Sequence, residues 1–345
     1  MIKDNHLFVS DLHMHSSYSD GYWSPAEVIL RAKDAGLTQV SLTDHNTILG
    51  LSEAEKAAKE VGLNFINGVE INAQSEYYNE QFHNHILAYS FNKKRMSNAL
   101  NKIIKSNNLE FSKTIIKLRN IIKSGETFFV EKRTPLLKFK KDINYKKINE
   151  KTILKDEYFR LYNRLLSDRD IKKLKTSVSL TPETISRFIK NNLLEDSITL
   201  VQKEPRFWAK KIIFANLPEV FNSIEKNYYK DHISVLNIIQ QSAGISIIAH
   251  PFLEYKMFSE HKKMVYKKFL NYLIDNCMNG FEIYYYIGQG FSEKEQQEYN
   301  TIITEIAQKN NLVLTYGSDC HGPKRQDQSR IYLGKFGSNH LIKFN

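Results

Sequence analysis

The sequence predicts an α/β protein of about seven strand–helix units, interrupted once by a mainly helical insertion. Three observations carry this expectation. Strand-like runs alternate with helical patterns up to about residue 92 and again from about 236, the rhythm of parallel β/α units. Between 93 and 235 the rhythm is lost and long helical patterns replace it. Almost every strand ends in His, Asp or Glu, as expected where the ends of several strands surround one mouth. The organisation is therefore 1–92, first part of a β/α domain; 93–235, a basic helical insertion; and 236–345, the second part. Alternation alone leaves barrel and open sheet both possible, because strand order is not written in a sequence.

In order, "HLFVSDLHMH" reads as the first strand. "SPAEVILRAKDAG" follows as a helix with Ser24 as N-cap, Pro25 at the first helical position and Gly36 past its end. "TQVSLTDH" is a second strand, "ILGLSEAEKAAKEVG" a helix, "LNFINGVEIN" a third strand and "HNHILAYSF" a fourth. The insertion opens with a long helical pattern, "MSNALNKIIKSNNLEFSKTIIKLRNIIKSG", ended by Gly125. It continues with a basic stretch around 126–175 that fits no element. Two further helices follow, "TPETISRFIKNNLL", opened by Thr181 and Pro182, and "FANLPEVFNSIEKNYY". "HISVLNIIQQSAG" (helix) and "ISIIAHP" (strand) restore the rhythm. A helix near 258–278, the strand "NGFEIYYY", the helix "SEKEQQEYNTIITEIAQKNN" and the strand "LVLTYGSDCHG" complete it. No internal repeat and no low-complexity linker is visible.

The 345 residues are 41% hydrophobic and 25% charged, an ordinary globular composition with enough apolar material for a sizeable core. Two cysteines, Cys277 and Cys320, argue against a disulfide scaffold and fit a reducing compartment. The N-terminus lacks an apolar signal-peptide stretch, and no run of about 18 apolar residues suggests a membrane span. The expectation is a cytoplasmic protein with no membrane partner. The net charge of +11 is unevenly distributed. Residues 93–235 hold 32 Lys+Arg against 16 Asp+Glu, a net of +16, and the rest holds 17 against 22, a net of −5. A basic block in a mildly acidic frame favours a polyanionic partner such as nucleic acid, although Lys-rich helices are often only solvated.

The strand ends carry the chemistry. His13 and His15 share one strand face, with Asp11 behind them and Asp20 in the following loop. Asp44 and His45 end the second strand, and Glu70 lies in the third. His83 and His85 again share a face, and later strands end in His250 and in Asp319 and His321. Any one of these alone is more often a satisfied buried histidine or a capping aspartate; recurrence at five or six strand ends outweighs coincidence. Imidazole and carboxylate donors without thiolate suit manganese, iron or zinc in a hydrolytic centre. No G-x-S-x-G nucleophile motif is present. Metal-assisted hydrolysis by a metal-bound hydroxide is the expected chemistry.

The blocks "DLHMHSSYSDG", "LTDHNTILG", "GVEIN", "HILAY", "IIAHP" and "GSDCHG" resemble, in order, the polymerase and histidinol phosphatase (PHP) phosphoesterases. The resemblance covers nearly the whole chain except the insertion. Within that family the sequence is most similar to the branch containing 3′,5′-nucleotide phosphatases and 5′→3′ exoribonucleases. The resemblance implies a distorted (β/α)7 barrel holding three divalent ions, usually manganese, with zinc or iron as alternatives. It further implies that His13, His15 and Asp319 hold one ion and Asp20, His45 and His321 the second. His85 and His250 would hold the third, with Glu70 bridging the first and third. Asp11 and Asp44 would be outer acceptors fixing histidine tautomers. His83, beside the ligand position His85, is left as a rim or substrate contact. The small "SSYSDG" loop would let Asp20 return close to the strand end.

The substrate clamp departs from the branch. Where it presents arginines on the insertion helix, this chain has Asn107, Asn108, Leu109 and Ser112, with Arg119 as the only arginine in "SNNLEFSKTIIKLRN". A Gly-His pair is replaced by Glu183–Thr184, although Arg187 remains. Lys113, Arg119, Arg133 and Arg187 are the replacement candidates for holding substrate phosphate. Cys320 is expected to pack away from the metal face. Tyr284, Tyr285 and Tyr286 are better explained by barrel packing than by base stacking, whereas Trp208, in "EPRFWAKK", suits nucleic acid and equally any amphipathic helix.

The expected activity is metal-dependent hydrolysis of phosphate esters of nucleotides or nucleic-acid ends, as a nuclease or nucleotide phosphatase. Alternatives are a phosphatase of a small phosphomonoester and a non-catalytic PHP binding module in a larger complex. Hydrolysis of C–N bonds ranks last. A protein partner on the basic insertion is a further expectation.

Overall fold

The computed structural model describes residues 8–124, 139–162, 167, 184–185, 188–194, 230–323 and 332–344. The chain divides into two compact units, one of residues 1–100 with 230–345 and one of residues 101–229.

The first unit is a seven-stranded sheet in sequential order, β1 (Ser10–Asp11), β2 (Gln39–Leu42), β3 (Asn64–Tyr77), β4 (Glu80–Tyr89), β5 (Ile245–Ile248), β6 (Gly280–Tyr284) and β7 (Val313–Gly317). The first and last strands also meet. Leu12 N–H donates to the Tyr316 carbonyl at 2.9 Å, His15 N–H to the Cys320 carbonyl at 2.9 Å, and Met14 bridges Cys320 in parallel. The sheet is therefore a nearly closed barrel, and the choice left open by the sequence resolves in its favour. Inside it, Leu12, Leu87, Tyr89, Ile247 and Ala249 form a fully buried apolar floor, to which the Tyr89 hydroxyl adds a 2.8 Å bond to the Leu12 carbonyl. Strand closure with an apolar filling leaves a polar mouth at the strand ends, where the loops meet.

Helices α1 (Pro25–Asp34) and α2 (Leu51–Val61) follow β1 and β2. Ser24 caps α1 as the sequence indicates: its hydroxyl accepts from Glu27 N–H while Glu27 reaches back to the Ser24 N–H, a reciprocal capping box. Gly62, with φ of 69°, ends α2 in the left-handed conformation. Helices α5 (His232–Gln241), α6 (Glu260–Asp275) and α7 (Glu293–Lys309) serve the second half, the last two capped by Ser259 and Ser292. No helix among the described residues is long and apolar enough to cross a membrane.

One expectation requires correction. The first four strands do not all belong to parallel units, because β4 runs antiparallel to both β3 and β5. β3 and β4 form one long hairpin joined by Tyr78 and Asn79, whose φ angles of 48° and 59° are both positive, as a two-residue type I′ turn requires. The turn carries no glycine, so the usual Asn-Gly or Asp-Gly signal was absent from the sequence. The first strand is also short: regular pairing covers Ser10–Asp11, and His13 and His15 lie just beyond it.

In the second unit, α3 (Lys93–Ser124), which begins in the first, is followed by a 3₁₀ turn (Tyr145–Lys147), α4 (Glu150–Tyr162) and a wide helical turn (Ile189–Leu193). Phe111, Ile115, Leu118, Ile148, Ile153 and Ile189 are buried there. The Phe139–Leu194 bridge brings Lys140 beside the wide turn, and an open cavity of about 660 Å³ there is lined by Lys140, Lys141, Lys147 and Asn192 among others. Gly125, Trp208, the segment "FANLPEVFNSIEKNYY", Thr181, Pro182 and Glu183 fall outside the described residues.

Candidate metal centre

The barrel mouth gathers His13, His15, Asp20, His45, Glu70, His85, His250, Asp319 and His321. β3 supplies the middle of the arrangement. Glu70 Oε2 lies 3.3 Å from His13 Nε2, 3.2 Å from His15 Nε2 and 3.2 Å from His45 Nδ1. Its other oxygen, Oε1, lies 2.8 Å from His85 Nδ1 and 3.1 Å from His250 Nε2. One carboxylate thus faces five imidazoles, three through one oxygen and two through the other.

Asp20 and Asp319 flank this centre. Asp20 Oδ1 lies 3.2 Å from His321 Nε2, 3.7 Å from His15 Nδ1 and 3.8 Å from His45 Nε2. Asp319 Oδ1 lies 3.1 Å from His15 Nε2 and 3.5 Å from His13 Nε2. The His13 and His15 Nε2 atoms are themselves 3.1 Å apart. Asp20 returns to the strand end because residue 21 is glycine: a Cβ there would stand 2.3 Å from the His15 carbonyl oxygen.

Three overlapping groups have the spacing of metal ligands: His13, His15 and Asp319; His15, Asp20, His45 and His321; and His45, Glu70 and His85. The donors fit cations. Asp20 Oδ1, His45 Nδ1 and Glu70 Oε2 are buried and accept or donate no hydrogen bond within the protein. Among the described residues the ion pairs of Asp20, Glu70 and Asp319 are with histidines. Buried acceptors crowded together in this way are costly unless a cation satisfies them.

The electrostatics express the same crowding. Burial opposes the charge on His13, yet Glu282, Glu70 and Asp319 outweigh it and raise its pKa well above the ordinary value. His15 is likewise pushed up to about 10, against burial, by Asp319 and Glu70. Burial also opposes the charge on Asp20, Glu70 and Asp319, but the surrounding histidines hold all three carboxyls well below the usual range. His45, where burial prevails, falls to about 4. Backbone strain collects at the same place: His250 and Asp319 have φ of 32° and 55°, conformations that non-glycine residues adopt only when the surroundings impose them.

The outer contacts differ from those expected. Asp11 accepts from the Ser318 hydroxyl at 2.5 Å, from Ser318 N–H at 3.1 Å and from His13 N–H at 3.2 Å. Asp44 accepts from Ser16 N–H at 2.7 Å and from the hydroxyls of Ser16 and Ser19, each at 2.6 Å. Both carboxylates therefore bind loops rather than imidazole rings. The acceptor that meets an imidazole is Glu282, whose Oε1 lies 2.7 Å from His13 Nδ1 and whose Oε2 accepts from His250 N–H at 2.8 Å. Tyr284 donates to Asp319 Oδ2 at 2.9 Å. The sequence signal for both was a glutamate and a tyrosine at alternate positions of an otherwise apolar strand, which point to one face.

Of the substrate candidates, His83 lies in the first unit and Lys113 and Arg119 in the second. His83 is exposed on β4, one same-face position beyond His85. Within the second unit Lys113 pairs with Glu110 at 2.6 Å, and Arg119 Nε donates to the Ile148 carbonyl at 2.5 Å. Arg133 and Arg187 lie outside the described residues. Cys320 is buried, and burial raises its thiol to about 11.

Comparison with known proteins gives a consistent pattern. Residues 11–167 match the PHP domain. A 66-residue stretch is 53% identical to a 5′-3′ exoribonuclease of Haemophilus influenzae, covering 19% of this chain and 24% of that protein. A 61-residue stretch is 49% identical to a 3′,5′-nucleoside bisphosphate phosphatase of Chromobacterium violaceum, covering 18% and 21%. These matches therefore span about a quarter or less of the length of those relatives. Among solved structures, a candidate metal-dependent phosphoesterase from Bifidobacterium adolescentis superposes with a TM-score of 0.55 at 18% identity over 93% of this chain and 92% of that one. An amidohydrolase from C. violaceum, with sulfate bound and no metal, superposes with a TM-score of 0.54 at 17% identity over 96% and 98%. At those identities the likeness is one of fold.

Proposed function

From a chain whose residues 11–167 match the PHP domain, we propose a metal-dependent phosphoesterase acting on nucleotides or nucleic-acid ends. The observation that carries the reading is Glu70, whose two oxygens are shared among five imidazoles while Asp20 and Asp319 close the groups on either side. We assign His13, His15 and Asp319 to one divalent ion, Asp20, His45 and His321 to a second, and His85 and His250 to a third. Glu70 would serve the first and third. Nitrogen and oxygen donors without thiolate suit manganese, with zinc or iron as alternatives.

Bound divalent ions would acidify water for attack and neutralise charge on the phosphoryl oxygens. The protein's own part is to present lone pairs. Glu282 accepts a hydrogen bond from Nδ1–H of His13, the tautomer that leaves the Nε2 lone pair directed at the centre. His321 donates Nδ1–H to the Asp319 carbonyl at 2.7 Å, leaving Nε2 toward Asp20. Tyr284 occupies Asp319 Oδ2, so Oδ1 faces His13 and His15. Asp44 ties down Ser16 and Ser19, fixing the loop that carries Asp20.

The relatives named for exoribonuclease and nucleoside bisphosphate phosphatase activity support a nucleotide substrate. The net charge of +16 over residues 93–235 supports a polyanion, with that block as substrate or partner domain. A small phosphomonoester is the second reading, since the phosphate-holding arginines of the insertion are replaced. A non-catalytic module is disfavoured by the complete donor set.

The test uses manganese-loaded protein with 5′-phosphorylated RNA and DNA oligomers, a 3′,5′-bisphosphate nucleotide and a small phosphomonoester. Asp20→Ala and His250→Ala are the controls. Oligomers shortened from one end, with both variants inactive and rates falling steeply with salt through counterion release, establish a nuclease. Phosphate released only from the small compounds, with shallow salt dependence, makes it a phosphatase. No turnover of any compound by metal-loaded protein overturns the hydrolytic reading.

A further inference from the structure

The β3–β4 hairpin is longer than the barrel needs. β2 pairs with β3 only over Asn64–Asn67, and β5 pairs with β4 only over Ile86–Tyr89. Beyond Glu70 and His85 the two strands continue to the Tyr78–Asn79 turn as an arm on the mouth side of the barrel. One face of the arm is anchored. Phe82 and Tyr77 pack against Tyr266, Phe269 and Tyr272, with ring centroids 4.9 to 5.5 Å apart.

The other face continues the inside of the barrel. Directly paired residues share a face, and along β4 that face reads Tyr89, Leu87, His85, His83, Gln81, from apolar floor through candidate metal ligand to arm. Opposite them on β3 stand Glu70 against Leu87, Asn72 against His85, Gln74 against His83 and Glu76 against Gln81. Gln74 Oε1 is buried with no hydrogen-bond partner in the protein, and His83 is exposed. Residues 71–85 contain no lysine and no arginine. Asn72, Gln74 and His83 offer amides and an imidazole and no cation of their own, a set unsuited to phosphate. It matches uncharged groups that both donate and accept, such as ribose hydroxyls and base edges, which Asn and Gln read bidentately. Glu76, paired with Gln81, ends the uncharged part, which from the level of His85 to that of His83 runs about 7 Å.

We propose that Asn72, Gln74 and His83 form a neutral strip that takes the nucleoside part of a substrate whose phosphate lies at the metal centre. The inference rests on the phosphoesterase reading for where the phosphate sits, and it adds the determinant that separates nucleotides from simpler phosphate esters. It also gives a reason for the length of the hairpin.

The experiment is calorimetric binding of adenosine 5′-monophosphate and of inorganic phosphate to manganese-loaded protein, comparing wild type with Gln74→Ala/His83→Ala at matched metal content. Loss of two hydrogen bonds is expected to raise the Kd for the nucleotide about 10-fold while that for phosphate changes less than about twofold. Equal shifts for both ligands, or no shift for the nucleotide, overturn the strip. Turnover is read separately: wild type that shows this binding preference but hydrolyses no phosphoester defeats the phosphoesterase reading and leaves the strip standing.

Discussion

Glu282 Oε1 lies 2.7 Å from His13 Nδ1, and neither side chain has any exposed surface. The second oxygen of the same carboxylate holds the backbone N–H of His250 at 2.8 Å, so one buried group on β6 aligns residues from two other strand ends. Glu282→Gln preserves shape but can offer only one acceptor oxygen, and one of the two bonds is lost whichever way the amide turns. Retained metal after dialysis is expected to fall about 10-fold or more, with turnover falling in step. Elemental analysis of the dialysed protein checks this; unchanged metal content would remove Glu282 from its assigned role.

Gly317 makes that pair possible. A Cβ at this position would lie 2.2 Å from Glu282 Oε1 and 2.2 Å from His13 Cβ. Gly317→Ala is expected to destabilise the protein by about 1–3 kcal/mol through overpacking and to lower metal retention as well. Urea unfolding together with elemental analysis measures both, and a wild-type midpoint would contradict the crowding.

Tyr284→Phe removes the hydroxyl bonded to Asp319 and leaves the ring packed 5.3 Å from the His250 ring. The stability cost is expected to stay near 1 kcal/mol. Turnover is expected to drop about 10-fold or more, because Asp319 is freed to rotate while holding a left-handed φ of 55°. A kcat equal to wild type would leave Tyr284 with a packing role only.

His232 provides a pH prediction away from the centre. It is fully buried, its Nδ1 lies 2.8 Å from the Ser75 hydroxyl, and burial lowers its pKa to about 3 despite neighbouring Asp231, with His83 adding to the depression. The unfolded chain protonates this histidine below its ordinary value of 6.5, whereas the folded protein resists until about 3. Its share of stability is therefore lost as pH falls from about 6.5, by up to about 1.4 kcal/mol per pH unit. Unfolding midpoints between pH 7 and 4.5 are expected to fall less steeply in His232→Gln than in wild type. Parallel curves would contradict the assignment.

The arrangement of donors was largely legible in the sequence because period-two spacing and strand-end position are local facts. His13 with His15 shows its shared face in three residues, and Asp319 with His321 sits at the end of a readable strand. Glu282 was not legible. A lone carboxylate within "GFEIYYY" has no partner at a diagnostic spacing, and its value depends on a glycine 35 positions away. The hairpin was missed for a different reason: the Tyr78–Asn79 turn adopts positive φ without the glycine that normally announces it. Asp11 and Asp44 were correctly seen near the strand ends, but sequence could not tell whether a carboxylate there meets a ring or a serine.

The order of the strands has a consequence for synthesis. His13 and His15 leave the ribosome about 300 residues before Asp319 and His321, which at ordinary translation rates is a delay of roughly 15–60 s. The whole insertion, with its own separate core, emerges inside that interval. For that time the nascent chain carries His13 and His15 without Asp319, and a first strand whose closing neighbour does not yet exist. A cluster that needs both His13 and Asp319 is thus completed only when the last strand has been made.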